Sequence, residues 1–406
     1  MSDRTQNIIT LILVIILPIL AFLAGFMTNE VFDVSLPFLE DGLDSDVEAE
    51  AAGFDLFWEA WGHIESTYIG DVPAGRQLTY SAIRGAIAGL DDPYSVFLEP
   101  VVRQEEIVSL TGNYGGIGVF VERNEIGEAR LVPIPDNPAA NAGVLEGDIL
   151  LEINGETVLG ELPISQIDQL LRGEVGDELA LTLDRDGQIV EINVEIGQIL
   201  VPSVFYRILP EYPDVGYIQL SRFSGETPGE LEEALASLQS DAVSGIILDL
   251  RGNGGGLLDA SIEVVDHFLD DGLIMRQESR SDGEKLYNAS RGSVAADIPL
   301  VVLIDTGTAS AAEIVAGALQ DRQRAVLIGS KSYGKGSVQL IYDLSDGSSI
   351  HVTSARWYTP NGTQLDEVGL WPDIPVDLVA ASENPDKDFY IQAGVDQLIP
   401  MFEEAN

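Results

Sequence analysis

Hydrophobic and polar positions change rhythm several times along the chain, and each change marks a segment. Residues 8–27 carry no charge, a run long enough to cross a ~30 Å hydrocarbon layer at about 1.5 Å per residue. Residues 28–52 then lose apolar periodicity and gather Asp and Glu, the pattern of a solvated tether. From Phe54 the positions Phe57, Trp58, Trp61 and Ile64 recur at helical spacing, which predicts one apolar helix face. A second helix is predicted over 78–90, stopped by Asp91-Asp92-Pro93. Over 101–198 Gly-rich turns separate short β-prone runs such as 117–122 and 179–183. Beyond 201, short apolar strands at 215–220, 245–250, 300–304 and 325–328 alternate with amphipathic helices. That alternation predicts an α/β layer with a largely parallel sheet. The last twenty residues read as one more helix, and no internal repeat is visible.

Charge then narrows the function and the compartment. The 406 residues hold 67 Asp and Glu against 21 Lys and Arg, a formal net charge of −46. A nucleic-acid binder needs clustered cations against phosphate and is excluded. There is no cysteine, so disulfides, thiolate nucleophiles and Cys-based metal sites are excluded too. Arg4 precedes the apolar run, and no Lys or Arg follows it until Arg76. The positive-inside rule therefore predicts a cytoplasmic N-terminus, a single-pass anchor in the cell membrane and an extracytoplasmic remainder. Small residues at Ala21 and Ala24 keep a cleaved signal peptide, and hence secretion, as the alternative.

Several motifs fail on inspection. Gly329 to Lys335 nearly spells a phosphate loop, but Gly336 stands where Ser or Thr must hold magnesium, and a strand-like run follows. Arg251-Gly252-Asn253-Gly254-Gly255-Gly256 lacks the last glycine of a dinucleotide loop, since Leu257 occupies its place. His63, His267 and His351 form no metal motif, so a metal site and a Ser-His-Asp triad are both unsupported. What remains is serine with lysine. Ser310-Ala311-Ala312-Glu313 fits a capping box where a predicted strand turns into a helix. Alone that is only a cap, yet a serine there also sits among unpaired N–H groups able to stabilise an oxyanion. Lys335, one of only four lysines, follows between two glycines. It serves as a base only if burial lowers its pKa; otherwise it is a solvated turn residue. In a strand over 335–342, Lys335, Ser337 and Gln339 would share a face, so Gln339 would orient the amine.

At these residues the chain resembles the carboxyl-terminal processing proteases, tail-specific serine peptidases with a Ser-Lys dyad. The resemblance covers nearly all of 54–378. It rests on Leu90-Asp91-Asp92-Pro93-Tyr94-Ser95, Asp249-Leu250-Arg251-Gly252-Asn253-Gly254-Gly255, Thr308-Ala309-Ser310-Ala311-Ala312-Glu313-Ile314, Tyr333-Gly334-Lys335-Gly336-Ser337-Val338-Gln339 and Thr359-Pro360-Asn361-Gly362. It implies Ser310 as nucleophile, Lys335 as general base and Gln339 as its orienter. The implied oxyanion hole is made by the N–H of Ala311 with that of Gly254 or Gly255. Gly254 stands where the family usually has proline. No metal or organic cofactor is implied.

The resemblance also identifies 101–198 as similar to a PDZ domain. Tyr114, Gly115, Gly116, Ile117 and Gly118 match its carboxylate-binding loop, with Asn137 to Gly143, Glu146 to Leu150 and Ile153-Asn154-Gly155 as its later turns and strands. Successive glycine N–H groups make a nest for a terminal carboxylate, and the peptide adds as a strand. Arg172, in a turn of the same segment, is a candidate to sense bound peptide or a plain surface arginine. The fold class expected is thus multidomain α/β: an anchor or signal segment (1–28), an acidic linker (29–52), an N-terminal helical part of the protease (53–100), a β-rich PDZ domain with helices (101–198), an α/β protease core resembling the crotonase-like layer fold (199–380) and a helical tail (381–406). The function expected is a serine endopeptidase that binds polypeptide substrates by free, unstructured C-termini and cleaves near the tail. Its other partner would be the membrane through the N-terminal helix, with a second copy or an adaptor left open. A PDZ scaffold with an inactive core is the rival, opposed by intact Ser310, Lys335 and Gln339. An intracellular acyl-CoA enzyme of crotonase type is a second rival, opposed by the apolar run and the PDZ segment.

Overall fold

The structure is a computed structural model that describes residues 44–405 apart from 74, 159, 161, 291 and 377–386. The expected membrane segment and most of the acidic linker lie outside the described residues. Among the described residues no helix is long and apolar enough to cross a membrane. The described chain divides into two units, the first ending at Thr79 and the second starting at Tyr80. In the first, the helix Asp44–Thr67 starts inside the stretch expected to be a tether to residue 52. Its opening turns are rich in alanine and in acids, which suit a helix N-terminus. Further along, Phe57 stacks on Trp61 with ring centroids 6.4 Å apart.

The second unit holds two hydrophobic bodies. The first, the expected PDZ body, has a core running from Ile117 to Ile196 inside antiparallel strands Val119–Arg123, Ala129–Pro133, Ile149–Ile153, Glu178–Arg185 and Gln188–Glu195. Leu179, Leu181 and Leu183 point into it while the residues between them face outward, the period-two pattern of a half-buried strand. The chain enters this body through the strand Asn113–Gly116 and leaves through Gly197–Leu200, and the two pair antiparallel. The Val201 N–H donates to the Gly112 carbonyl at 2.8 Å just outside them.

The PDZ domain was expected to start at 101. The helix Pro100–Thr111 contributes no residue to that core; its Arg103 Nε donates to Asp343 of the other body at 2.8 Å.

The other body, expected to be the protease core, is built on a six-stranded sheet in the order Val204–Leu209, Tyr212–Leu220, Gly245–Asp249, Leu300–Ile304, Val326–Gly329, Ile374–Pro375. From the second strand onward every pairing is parallel. Gly245–Asp249 and Leu300–Ile304 are buried at every position, because parallel strands are covered on both faces. Helices Thr227–Ser240, Leu258–Asp266 and Ala311–Asp321 share one core with this sheet. Val395 and Leu398 of the helix Phe389–Ala405 share a second with Ile247, Val301 and Ile328. A second, antiparallel sheet joins Val96–Leu98, Ser349–Tyr358, Leu273–Ser279 and Gly283–Asn288, with Ser337–Asp343 also paired to Ser349–Tyr358.

Candidate active site

The site forms beyond the carboxyl ends of neighbouring parallel strands, where open α/β sheets place their ligands. The turns after Gly245–Asp249 and Leu300–Ile304 are stitched together. Asp305 Oδ1 accepts the N–H groups of Gly252 and Gly307, each at 2.9 Å. Thr308 Oγ1 donates to the Leu250 carbonyl at 2.9 Å, and the Ala309 N–H to the Asn253 carbonyl at 2.9 Å. These bonds hold Ser310 at φ 55°, ψ −119° just before the helix Ala311–Asp321. Such backbone costs a non-glycine residue about 1–3 kcal/mol and persists only where its surroundings over-determine it. Gly255 is what allows the turns to approach so closely: a Cβ there, at φ +106°, would stand 2.9 Å from the Ser310 Cβ.

Glu313 does far more than the capping role read from sequence. Fully buried, its carboxylate accepts four donors. Oε2 takes the N–H groups of Ser310 and Lys335, both at 2.9 Å. Oε1 takes the Gly334 N–H at 2.7 Å and the Ser332 hydroxyl. One carboxylate oxygen therefore binds the backbone of both candidate reactive residues. The Lys335 carbonyl is held in turn by the Trp357 indole N–H at 3.1 Å, and the Gly336 N–H donates to Asp366 Oδ1 at 2.7 Å.

Ser310, Ala311, Gly254, Lys335 and Gln339 line one cavity of about 280 Å³, with apolar walls from Leu110, Leu257, Leu258, Ile314, Val338 and Ile341. Burial pushes the Lys335 amine below the usual lysine range, against the carboxylates of Asp92 and Glu106, which favour its charged form. The arrangement can present a hydroxyl, a partly desolvated amine and unpaired N–H groups to one carbonyl.

Two expectations change in detail. Lys335 precedes the strand Ser337–Asp343, and a register shift falls between Val338 and Gln339, so simple alternation does not align the three side chains. The Gln339 amide donates to Ser337 Oγ at 2.9 Å, where a contact with the amine was expected. Of the two glycine N–H groups proposed for the oxyanion, that of Gly255 already donates to Asn253 Oδ1 at 2.9 Å. Gly254 lines the cavity, and no acceptor for its N–H occurs among the described residues.

In the PDZ body, Tyr114, Gly115 and Gly116 lie in the strand paired with Gly197–Leu200, while Ile117 and Gly118 form the loop that follows. Gly115 has no room for a side chain, since a Cβ would stand 2.1 Å from the Gly173 carbonyl oxygen. Arg172 bridges to Gly116 and places its guanidinium 4.3 Å from the Tyr114 ring centroid, paired with Asp168. Its Nε is buried without a partner.

Sequence reasoning missed three groups around the cavity. Glu106 and His351, 3.1 Å apart, both line it. Burial would raise the Glu106 carboxyl, yet His351 and Arg103 beside it hold it below its usual range. Tyr94 lies over the lysine with its ring centroid 5.4 Å from Nζ. No local spacing links Tyr94, Glu106 and His351 to Lys335, and of these three only Tyr94 falls within a family motif.

Comparison with known proteins agrees with a serine-type peptidase carrying a PDZ domain. Residues 214–376 match peptidase family S41, and residues 131–185 match a PDZ domain. A carboxy-terminal-processing protease of Bartonella bacilliformis is 37% identical over 328 residues, covering 79% of this chain and 74% of that one. A chloroplastic C-terminal processing peptidase of Tetradesmus obliquus is 32% identical over 338 residues, covering 79% and 72%. A solved photosystem II D1 C-terminal processing protease aligns with a TM-score of 0.45 at 32% identity, covering 78% of this chain and 86% of that chain. The chain belongs to the carboxy-terminal processing proteases of peptidase family S41.

Proposed function

We propose that the protein is an extracytoplasmic endopeptidase that captures free, unstructured C-termini in its PDZ body and cleaves near the tail through an acyl-enzyme on Ser310. The observation carrying this reading is that Ser310, at a strained helix start, shares one cavity with Lys335, whose amine burial holds below the usual lysine range. In the proposed first step the neutral amine takes the proton of Ser310 Oγ as that oxygen attacks the scissile carbonyl carbon. The oxyanion is received by the N–H groups of Ala311 and Gly254. Collapse breaks the C–N bond, and the lysine ammonium returns the proton to the departing amine. Water, deprotonated by the same amine, then attacks the ester, releases the new carboxyl end and restores Ser310. Gln339 acts from the cavity wall, through Ser337 in the geometry seen here. The helices Thr227–Ser240, Leu258–Asp266 and Ala311–Asp321, packed on the parallel sheet, support the crotonase-like layering expected of the core.

Tail capture is assigned to the N–H groups along Tyr114 to Gly118, with Arg172 as the group that responds to the bound peptide. Residues 8–27 are assigned as a membrane anchor, with secretion after cleavage as the alternative.

The test is hydrolysis of an unfolded protein substrate by Ser310→Ala, Lys335→Ala and Lys335→Arg variants. Each should lose at least about a thousandfold in kcat/KM, since nucleophile and base act as a unit and guanidinium stays protonated. Near-normal turnover by purified Ser310→Ala would sink the mechanism.

A further inference from the structure

Burial of the Lys335 amine depends on a cover, and part of that cover comes from a segment outside both matched regions, 131–185 and 214–376. This is the turn before the strand Val96–Leu98. Asp92 Oδ1 accepts the Tyr94 N–H at 3.1 Å, and Oδ2 accepts the Ser95 hydroxyl at 2.6 Å. Ser95, itself buried, accepts the Thr353 N–H at 3.1 Å. The strand then pairs Val96 with His351. Tyr94 is thereby fixed from both ends. Its ring centroid stands 5.4 Å from Lys335 Nζ, and its hydroxyl donates to the Gly334 carbonyl at 3.4 Å.

We propose that Tyr94 is a positioning residue for peptide hydrolysis: its ring covers the Lys335 amine against water, and its hydroxyl tethers the residue before it. The inference rests on Lys335 acting as the base in the function proposed above. Two effects of the ring oppose each other. Its π face attracts the ammonium, while exclusion of water favours the neutral amine. The ring stands 5.4 Å from Nζ and the amine lies below its usual range with burial as the leading cause, so exclusion is taken as the larger effect and the pH profile decides it. The charged neighbours remain in every variant: Asp92 in the same turn, Glu106 beside His351 and Arg103, Glu313 on the Lys335 N–H, and Asp366 on the Gly336 N–H.

The experiment is the pH dependence of kcat/KM for a peptide substrate, measured on the intact enzyme and on Tyr94→Phe and Tyr94→Ala. Phe keeps the cover and should leave the rising limb within a few tenths of a pH unit, with only a few-fold loss of rate. Ala opens the amine to water and should move the limb up by about one unit, toward the ordinary lysine value of about 10.4. At neutral pH that costs about tenfold, with KM within about twofold. An unmoved limb in Tyr94→Ala, or an equal shift in Tyr94→Phe, overturns the proposal. Should Tyr94→Ala not fold, Tyr94→Val, apolar but too short to reach the amine, replaces it under the same criteria. Lys335→Ala separates the two claims: inactive beside an unmoved limb, it removes only the cover, whereas its activity would remove the base as well.

Discussion

Glu313 and Lys335 place opposite demands on stability, and both can be measured. Replacing Glu313 by Gln turns one acceptor oxygen into a donor facing two groups that donate to it, the N–H groups of Ser310 and Lys335 or the Gly334 N–H and Ser332 hydroxyl. A buried donor left unsatisfied costs about 1–3 kcal/mol, so Glu313→Gln should lose about 2–4 kcal/mol in denaturant unfolding. It should also lower kcat more than KM, because the backbones of Ser310 and Lys335 both shift. Lys335 works the other way. Its folded-state pKa is depressed by burial, so the unfolded chain binds more protons between that value and about 10.4, and stability rises with pH across this window. At neutral pH the buried amine therefore opposes folding. Lys335→Met should melt higher than the parent near pH 7, and the gap should close as pH approaches 10. A gap that widens with pH would contradict a depressed amine. The pairing of Ser310 with Lys335 was legible in their motifs. The clamp was not, because S-x-x-E says nothing of a loop that returns about twenty residues later to the same carboxylate. Nor could alternation along 335–342 foresee the register shift at Val338 that redirects Gln339.

Strands of the protease sheet were readable because burial on both faces leaves unbroken apolar runs, as in Leu300–Ile304. The packing of the helix Pro100–Thr111 was hidden for a related reason. Arg103, Glu105 and Glu106 look solvated in sequence, yet Arg103 is 9% exposed and joins Glu106 to Asp343 across the fold. A charge pair between a helix and a distant strand leaves no periodicity to read. At this scale the PDZ assignment is tested with paired peptides differing only in C-terminal amidation. Amidation removes the charge and one acceptor oxygen, and a charge-assisted bond contributes about 1.5–3 kcal/mol, so capture should weaken about tenfold or more. Arg172→Ala should narrow that difference. Equal cleavage of both peptides by the intact enzyme would remove tail recognition.

Across the whole molecule, a net charge of −46 repels any anionic substrate, a peptide ending in a free carboxylate included. Raising salt from about 20 to 150 mM shortens the screening length to about 8 Å. KM for an acidic tail should therefore fall several-fold, while KM for an uncharged, amidated one stays level; parallel changes in both would point to a salt effect on the fold. The same body is interrupted by a module whose two connecting strands run side by side. Asn113 faces Leu200 across the ladder, and Gly112 and Val201 are already hydrogen-bonded. Two strands so paired can be joined by a two-residue turn. Excising the module at that ladder should leave a catalytic body that folds, hydrolyses unstructured chains and no longer discriminates among their ends. Heredity can thus exchange the PDZ module as a cassette, through one narrow neck of backbone, without redrawing the chemistry of the catalytic body.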